Sequence, residues 1–234
     1  AINGRKMVEN LIANGVKADQ VRTVKGVPPG IAIITIGDND NTIIVVAGAN
    51  SKVDRAYVDS VKEDLLGYDM VVLQHEIPLD TVHYIVDLCS EHNIPVVLNP
   101  APAAAVPAEI IEKLTWLTPN EHEAVLIFGE DKTAEELLRM YPGKLLITQG
   151  SRGVSVGLSS EEILTVPVRP AKVVDTTGAG DTLNGAFCYR IAMGDSGEDA
   201  LRYANTAASL STEKFSAQGG MPTAEEVEKA MKEL

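Results

Sequence analysis

The sequence predicts a three-layer α/β/α fold with a mostly parallel sheet and a small additional β hairpin. Three observations predict it. From about residue 69, short apolar runs alternate with amphipathic segments, an order that sets helices on both faces of a parallel sheet. The runs are almost continuously apolar, as strands buried on both sides are. Two stretches break the rhythm by pairing apolar runs across polar turns, which marks hairpins.

Taken in order, Gly4–Asn14 reads as an amphipathic helix, followed by Gly15, Val16 and a polar connection. Ile31–Ile36 and Thr42–Val46 flank Gly37-Asp38-Asn39-Asp40-Asn41, and this first hairpin, residues 31–47, is a candidate lid. Asp69–Gln74 is a strand. Leu79–His92 carries Val82, Ile85, Val86 and Cys89 at helical spacing. Ile94–Leu98 is the next strand, closed by the turn signal Asn99-Pro100-Ala101-Pro102. Leu114–Leu117 and Lys144–Thr148 read as strands around a helix at Asn120–Phe128. Val154–Leu158 and Ile163–Val168 form the second hairpin. Helices follow at Ala179–Met193 and Glu198–Lys214, and Thr223 caps a last one with Glu226 at capping-box spacing. With no repeat, low-complexity tract or linker, residues 1–234 read as a single domain.

Composition narrows the function classes. Of 234 residues, 45% are hydrophobic and 23% charged, a balance that suits a globular protein with a core. No apolar run approaches the roughly 20 residues of a membrane helix, and the first residues lack the apolar stretch of a signal peptide. No membrane partner is expected. Cys89 and Cys188 lie in separate predicted helices and read as reduced thiols, which points to the cytoplasm. The net charge is −13 and no Lys/Arg cluster appears, so nucleic acid is not an expected partner. An anionic ligand would have to be held locally, by backbone N–H groups and a metal, against the overall field. His75 and His122 each neighbour a glutamate, but without a His-Glu-x-x-His pair they do not suggest zinc.

The chemistry concentrates in Asp175-Thr176-Thr177-Gly178-Ala179-Gly180-Asp181-Thr182-Leu183-Asn184-Gly185-Ala186-Phe187. Three small residues stand directly before a predicted helix, whose unpaired N–H groups and positive dipole end attract anions. Small side chains let a phosphate approach that backbone. Asp181, in the first turn, is placed to take a proton from a hydroxyl attacking a phosphoryl group. From these residues alone, a tight strand–helix turn with Asp181 complementing the dipole is an equal reading. No Walker loop or dinucleotide fingerprint is present.

The longer string resembles the C-terminal signature of the ribokinase family of carbohydrate kinases. Asn99-Pro100-Ala101-Pro102-Ala103, Thr118-Pro119-Asn120-Glu121-His122-Glu123, Thr148-Gln149-Gly150-Ser151-Arg152-Gly153 and Ala217-Gln218-Gly219-Gly220-Met221-Pro222 are similar to other family segments in the same order. The resemblance implies a ribokinase-like fold and ATP-dependent transfer of the γ-phosphoryl group to a sugar hydroxyl. Asn99–Ala103 tilts the acceptor to ribose. Fructose, a sugar phosphate or a nucleoside are the alternatives within the class, and an inactive nucleotide-binding fragment is the alternative outside it.

The resemblance assigns roles by position. Asp181 would be the base, with the N–H groups of Gly178, Ala179 and Gly180 forming the anion hole. Asn120 would contact the nucleotide phosphates and Glu123 would organise Mg²⁺ through water, although a helix cap accounts for both residues equally well. Thr148, Gln149, Gly150, Ser151, Arg152, Gly153 and Asn205 would line ATP, and Glu76 would stand beside the sugar. A K⁺ ion would sit among Asp175, Thr177, Ser211, Lys214, Ser216 and Gly220, mostly on backbone carbonyls. A homodimer is the expected assembly. The family's first strand with its sugar-contacting Asn and Asp, its Gly-Gly segment and two lid strands have no counterpart in residues 1–30. The chain is therefore read as a fragment or processed form, expected to bind nucleotide better than sugar.

Overall fold

A computed structural model describes residues 2–37 and 40–233. Ala1, and Asp38 and Asn39 of the expected hairpin turn, lie outside the described residues. The chain opens with α1 (Ile2–Ala13) and a hairpin of β1 (Ile31–Gly37) and β2 (Asp40–Val46), antiparallel with Ile33 opposite Ile44. Two short helices follow, α2 (Arg55–Ser60) and α3 (Lys62–Leu65). The alternating part is β3 (Val71–Gln74), α4 (Leu79–Glu91), β4 (Val96–Asn99), α5 (Ala108–Lys113), β5 (Trp116–Leu117), α6 (Glu121–Phe128), α7 (Ala134–Met140) and β6 (Leu146–Thr148). A second hairpin, β7 (Val154–Gly157) and β8 (Ile163–Val166), precedes α8 (Ala179–Ala192), α9 (Gly197–Ser211) and α10 (Ala224–Lys232).

β3, β4 and β5 pair in parallel, with Gln74 opposite Asn99 and Leu98 opposite Leu117. Parallel bridges from Leu117 to Leu145 and from Asn120 to Thr148 carry the pairing on to β6. β7 then runs antiparallel to both of its neighbours, β6 and β8. Alternation along the strands divides the interior into two layers. Val96 and Leu98 pack with Val82, Val86 and Cys89 of α4, Ile110 of α5 and Leu137 of α7. Val97 and Leu146 face the other way, against Leu183 and Phe187 of α8 and Leu201 and Ala204 of α9. This is the three-layer α/β/α architecture, with the period-2 side-chain alternation separating its two cores.

The local reasons are visible at the helix ends. Thr133 and Thr223 accept the N–H groups of Glu136 and Glu226, and each glutamate returns to the cap backbone, completing capping boxes at α7 and α10. Lys144 covers the open end of α5, donating from Nζ to the carbonyls of Ile111 at 2.9 Å and Glu112 at 2.8 Å. Cys89 and Cys188 are free and buried on opposite layers, and burial pushes their thiols up to about 11 and about 12. No helix among the described residues is long and apolar enough to cross a membrane.

Candidate active site

The parallel strands end along one edge, and the sequence-derived site residues follow those ends. Glu76 is exposed just beyond β3, Asn120 and Glu123 follow β5, and Thr148 ends β6 with Gln149 through Gly153 after it. The bridge between Asn120 and Thr148 sets two of these segments side by side. Ligands of open α/β sheets bind at this carboxyl edge, where loops diverge and helix N-termini point.

α8 begins here. Gly178 is its N-cap in the left-handed conformation, φ 82°, and a Cβ there would meet the Ala217 carbonyl oxygen at 2.7 Å. A Cβ on Gly180 would meet nothing within 4 Å, so open space lies over the helix start. Among the described residues, the N–H groups of Gly178, Gly180 and Asp181 have no hydrogen-bond partner. The anion hole expected from Gly178, Ala179 and Gly180 needs one correction. The N–H of Ala179 donates to the Thr176 carbonyl at 3.2 Å, because the turn into the helix closes on itself there. The open donors are those flanking it. Asp181 stands exposed in the first turn beside them.

Asn120 and Glu123 form a capping box on α6. Asn120 Oδ1 accepts the Glu123 N–H at 2.9 Å, and Glu123 Oε2 accepts the Asn120 N–H at 2.8 Å. Burial raises the Glu123 carboxyl above its usual range, opposed by that backbone bond. The box leaves the Asn120 amide nitrogen and the second Glu123 oxygen outside it. A half-satisfied buried carboxylate fits a hydrated Mg²⁺, an ion that keeps several waters and takes few carboxylates.

In the turn after β6, Gln149 Oε1 accepts from Ser155 Oγ at 2.7 Å and Arg152 pairs with Glu121 at the start of α6. Gly153 has φ 97°, and a Cβ there would strike the Val166 carbonyl at 2.0 Å. Asn205 is buried in α9, its Nδ2 donating to the Pro167 carbonyl at 2.7 Å.

The positions expected around a cation are drawn together behind the α8 loop. Asp175 accepts the N–H of Thr177 at 2.9 Å and of Ser216 at 3.0 Å, and these bonds, Thr177's first, hold its carboxyl below the usual range. Gly220 donates to the Ser216 carbonyl at 3.2 Å, and a Cβ on Gly220 would lie 2.4 Å from the Ser211 carbonyl. The Lys214 side chain turns away to Glu226 at 3.5 Å, leaving only its backbone for such a site. Among the described residues no cluster of three or more His, Cys, Asp or Glu could hold a metal.

Sequence reasoning missed two residues. Thr118 Oγ1 donates to Asn184 Oδ1 at 2.7 Å, and Asn184 Nδ2 donates to the Gly180 carbonyl at 2.9 Å. The only sequence signal was an amide four residues beyond a loop glycine.

The model of the pfkB family carbohydrate kinases matches residues 2–224. The chain belongs to that family. The ribokinase of Bacillus subtilis (strain 168) is 47% identical over 228 residues, covering 97% of this chain and 77% of that protein. The ribokinase of Lactococcus lactis is 42% identical over 231 residues, covering 99% and 76%. Among solved structures, Thermotoga maritima ribokinase superposes with a TM-score of 0.83 at 32% identity, covering 97% of this chain and 77% of that one. Arabidopsis thaliana ribokinase, complexed with ribose and ATP, gives a TM-score of 0.83 at 32% identity over 93% and 74%. These superpositions extend over the α/β/α layering.

Proposed function

We propose that the protein is a ribokinase, transferring the γ-phosphoryl group of ATP to the primary hydroxyl of ribose to give ribose 5-phosphate and ADP. The observation that carries the reading is the start of α8. Unpartnered N–H groups and open space over Gly180 adjoin the exposed carboxylate of Asp181, in a chain 47% identical to a ribokinase. The sugar hydroxyl oxygen attacks the γ-phosphorus as the bond to the bridging β–γ oxygen breaks. The hydroxyl proton passes to Asp181, and ADP leaves with the bridging oxygen. The N–H groups of Gly178, Gly180 and Asp181 would stabilise the charge spread over the transferring group.

Asn120 would contact the nucleotide phosphates through its amide nitrogen, and Glu123 would organise hydrated Mg²⁺, which supplies charge neutralisation for the phosphates. The turn Thr148–Gly153, with Asn205, would receive the nucleotide, and Glu76 would border the sugar. K⁺ would bind on the Asp175, Thr177 and Ser211–Gly220 segments, where Asp175 already ties the loop to the anion hole. Residues 1–234 act as one domain, with 31–47 as a lid over the sugar. The lid's exposed apolar face supports a homodimer, and the buried free thiols fit the cytoplasm.

The test is a sugar screen with ADP release as readout, run on the wild type and Asp181→Asn. Ribose turnover is expected, reduced about 10²–10⁴-fold in the variant, the usual contribution of a positioned base. ATP affinity by calorimetry should stay within about threefold, since the base does not bind nucleotide in the ground state. Ribose turnover by Asp181→Asn at the wild-type rate would overturn the assignment, and preference for a nucleoside or sugar phosphate would overturn the acceptor.

A further inference from the structure

Thr118 and Asn184 form a buried hydrogen-bonded link between two parts of the site that are 66 residues apart in sequence. Thr118 is 2% exposed and Asn184 4%. Thr118 ends the strand region two residues before Asn120, and its N–H is fixed on the Leu98 carbonyl at 3.0 Å. Asn184 sits one turn into α8, between Leu183 and Phe187 of the apolar layer.

The direction of the link is determined by its ends. The Gly180 carbonyl can only accept, so the amide nitrogen of Asn184 must face it. The amide oxygen then faces Thr118, whose hydroxyl proton must go to Asn184. The Leu98 carbonyl, at 3.4 Å from that hydroxyl, is the poorer acceptor. Each amide group is used, and the bond to Thr118 is buried.

Asparagine is a poor helix former, and burying an amide in an apolar layer is unfavourable unless it is bonded. Stability alone would favour an apolar side chain here. The amide gives the Gly180 carbonyl, already directed along the axis of α8, a second donor that ties it to Thr118. The peptide is planar, so the N–H of Asp181 points the opposite way, toward the open helix start. Thr182 Oγ1 holds the Gly178 carbonyl in the same way at 2.9 Å.

We infer that Thr118 and Asn184 are positioning residues that fix the Gly180–Asp181 peptide, and with it the anion hole and base, relative to the Asn120–Glu123 nucleotide segment. The inference rests on the kinase reading above and adds residues that touch neither substrate. A displaced anion hole weakens the transition state far more than bound nucleotide, and a misplacement near 1 Å costs about 10²-fold.

The experiment compares Thr118→Val, Asn184→Ala and Thr118→Ser with the wild type, in kcat, in ADP affinity, and in affinity for ADP with aluminium fluoride, a mimic of the transferring phosphoryl group. Thr118→Val and Asn184→Ala should lower kcat about 10–100-fold. Aluminium fluoride should lose a similar factor of its tightening, while ADP alone binds within about threefold of wild type. Thr118→Ser, which keeps the hydroxyl, should restore both. The double variant should be no worse than Asn184→Ala, because the two bonds act in series. Equal weakening of ADP with and without aluminium fluoride, or a lowered melting temperature with unchanged kcat, would overturn the inference. A wild type that turns over no sugar would refute the kinase reading separately. The aluminium fluoride comparison would still decide the positioning role, and a wild type that shows no tightening with it would overturn that role too.

Discussion

Two glycines two residues apart do different work, and substitutions should separate them. Gly178 is the left-handed one, with the Ala217 carbonyl against the place a Cβ would occupy. Gly178→Ala combines that clash with a left-handed cost of about 1–2 kcal/mol, so its melting temperature should fall measurably. Gly180 has no positive φ, and no neighbour lies within 4 Å of the place its Cβ would take. Gly180→Val should therefore melt close to wild type by circular dichroism while losing its turnover, since the valine would stand where the phosphate must come. Full activity in folded Gly180→Val would mean that the loop is only a turn. Asp181 and the small residues before it were legible because they are contiguous and open a helix. Thr118 and Asn184 were not, because a hydrogen bond across 66 residues leaves no local pattern. The engagement of the Ala179 N–H was equally hidden, since turn closure depends on backbone angles rather than residue type.

Elements with a strong apolar period have nearly the bounds that the period predicts. It predicts α4 over Leu79–His92, and the helix ends at Glu91. Shorter helices escaped. α5 has six residues and α7 seven, less than two turns each, too few for a period to register against the flanking strands. Thr133 and Glu136 nonetheless carry the same capping-box spacing as Thr223 and Glu226. The segment from Ser211 to Gly220 is held by Asp175, whose carboxyl lies below its ordinary value of 3.8 because it accepts the Thr177 and Ser216 N–H groups. A depressed folded value means the stabilisation is complete above the ordinary value and is lost as pH falls below it toward the folded one. The protection of the Ser216 amide in hydrogen exchange should therefore drop at pH below about 4, and Asp175→Asn should remove that pH dependence. Unchanged protection through that range would count against the lock. The same segment carries the cation prediction: activity in tetramethylammonium buffer should rise on adding K⁺, because an ion among its carbonyls would stiffen the backbone behind the anion hole. Indifference to K⁺ would dismiss the site.

At the scale of the molecule, the two apolar layers and a small cluster of Tyr203, Ala207 and Val227 where α9 meets α10 hold most of the buried apolar side chains, but the β1–β2 hairpin stands apart from them. Its pairing puts Ile31 opposite Val46 and Ile33 opposite Ile44 on one face. These four side chains are 47%, 48%, 52% and 55% exposed for Ile31, Val46, Ile33 and Ile44 respectively. A two-stranded ribbon is marginal in water, and an apolar face of this kind is a docking surface rather than a solvated one. A second copy of the hairpin has the same apolar chemistry and can meet it about a twofold axis, giving a closed isologous contact. Burying a Val or Ile side chain contributes about 1.5–3 kcal/mol when complete, so even partial cover of eight such groups favours association at micromolar concentrations. Sedimentation of the wild type should accordingly show a dimer. Ile33→Glu together with Ile44→Glu puts like charges directly across from each other and from the partner, and should leave a monomer. The substituted residues face away from both cores, so the melting transition of the α/β/α body should be retained in that monomer. On the proposed reading of residues 31–47 as a lid and of the α6 and α8 ends as the nucleotide site, a lid completed across the dimer should make the apparent KM for ribose rise in the double variant while ADP affinity stays unchanged. A double variant that remains dimeric would move the interface elsewhere, and a monomer with the wild-type KM would separate assembly from sugar binding.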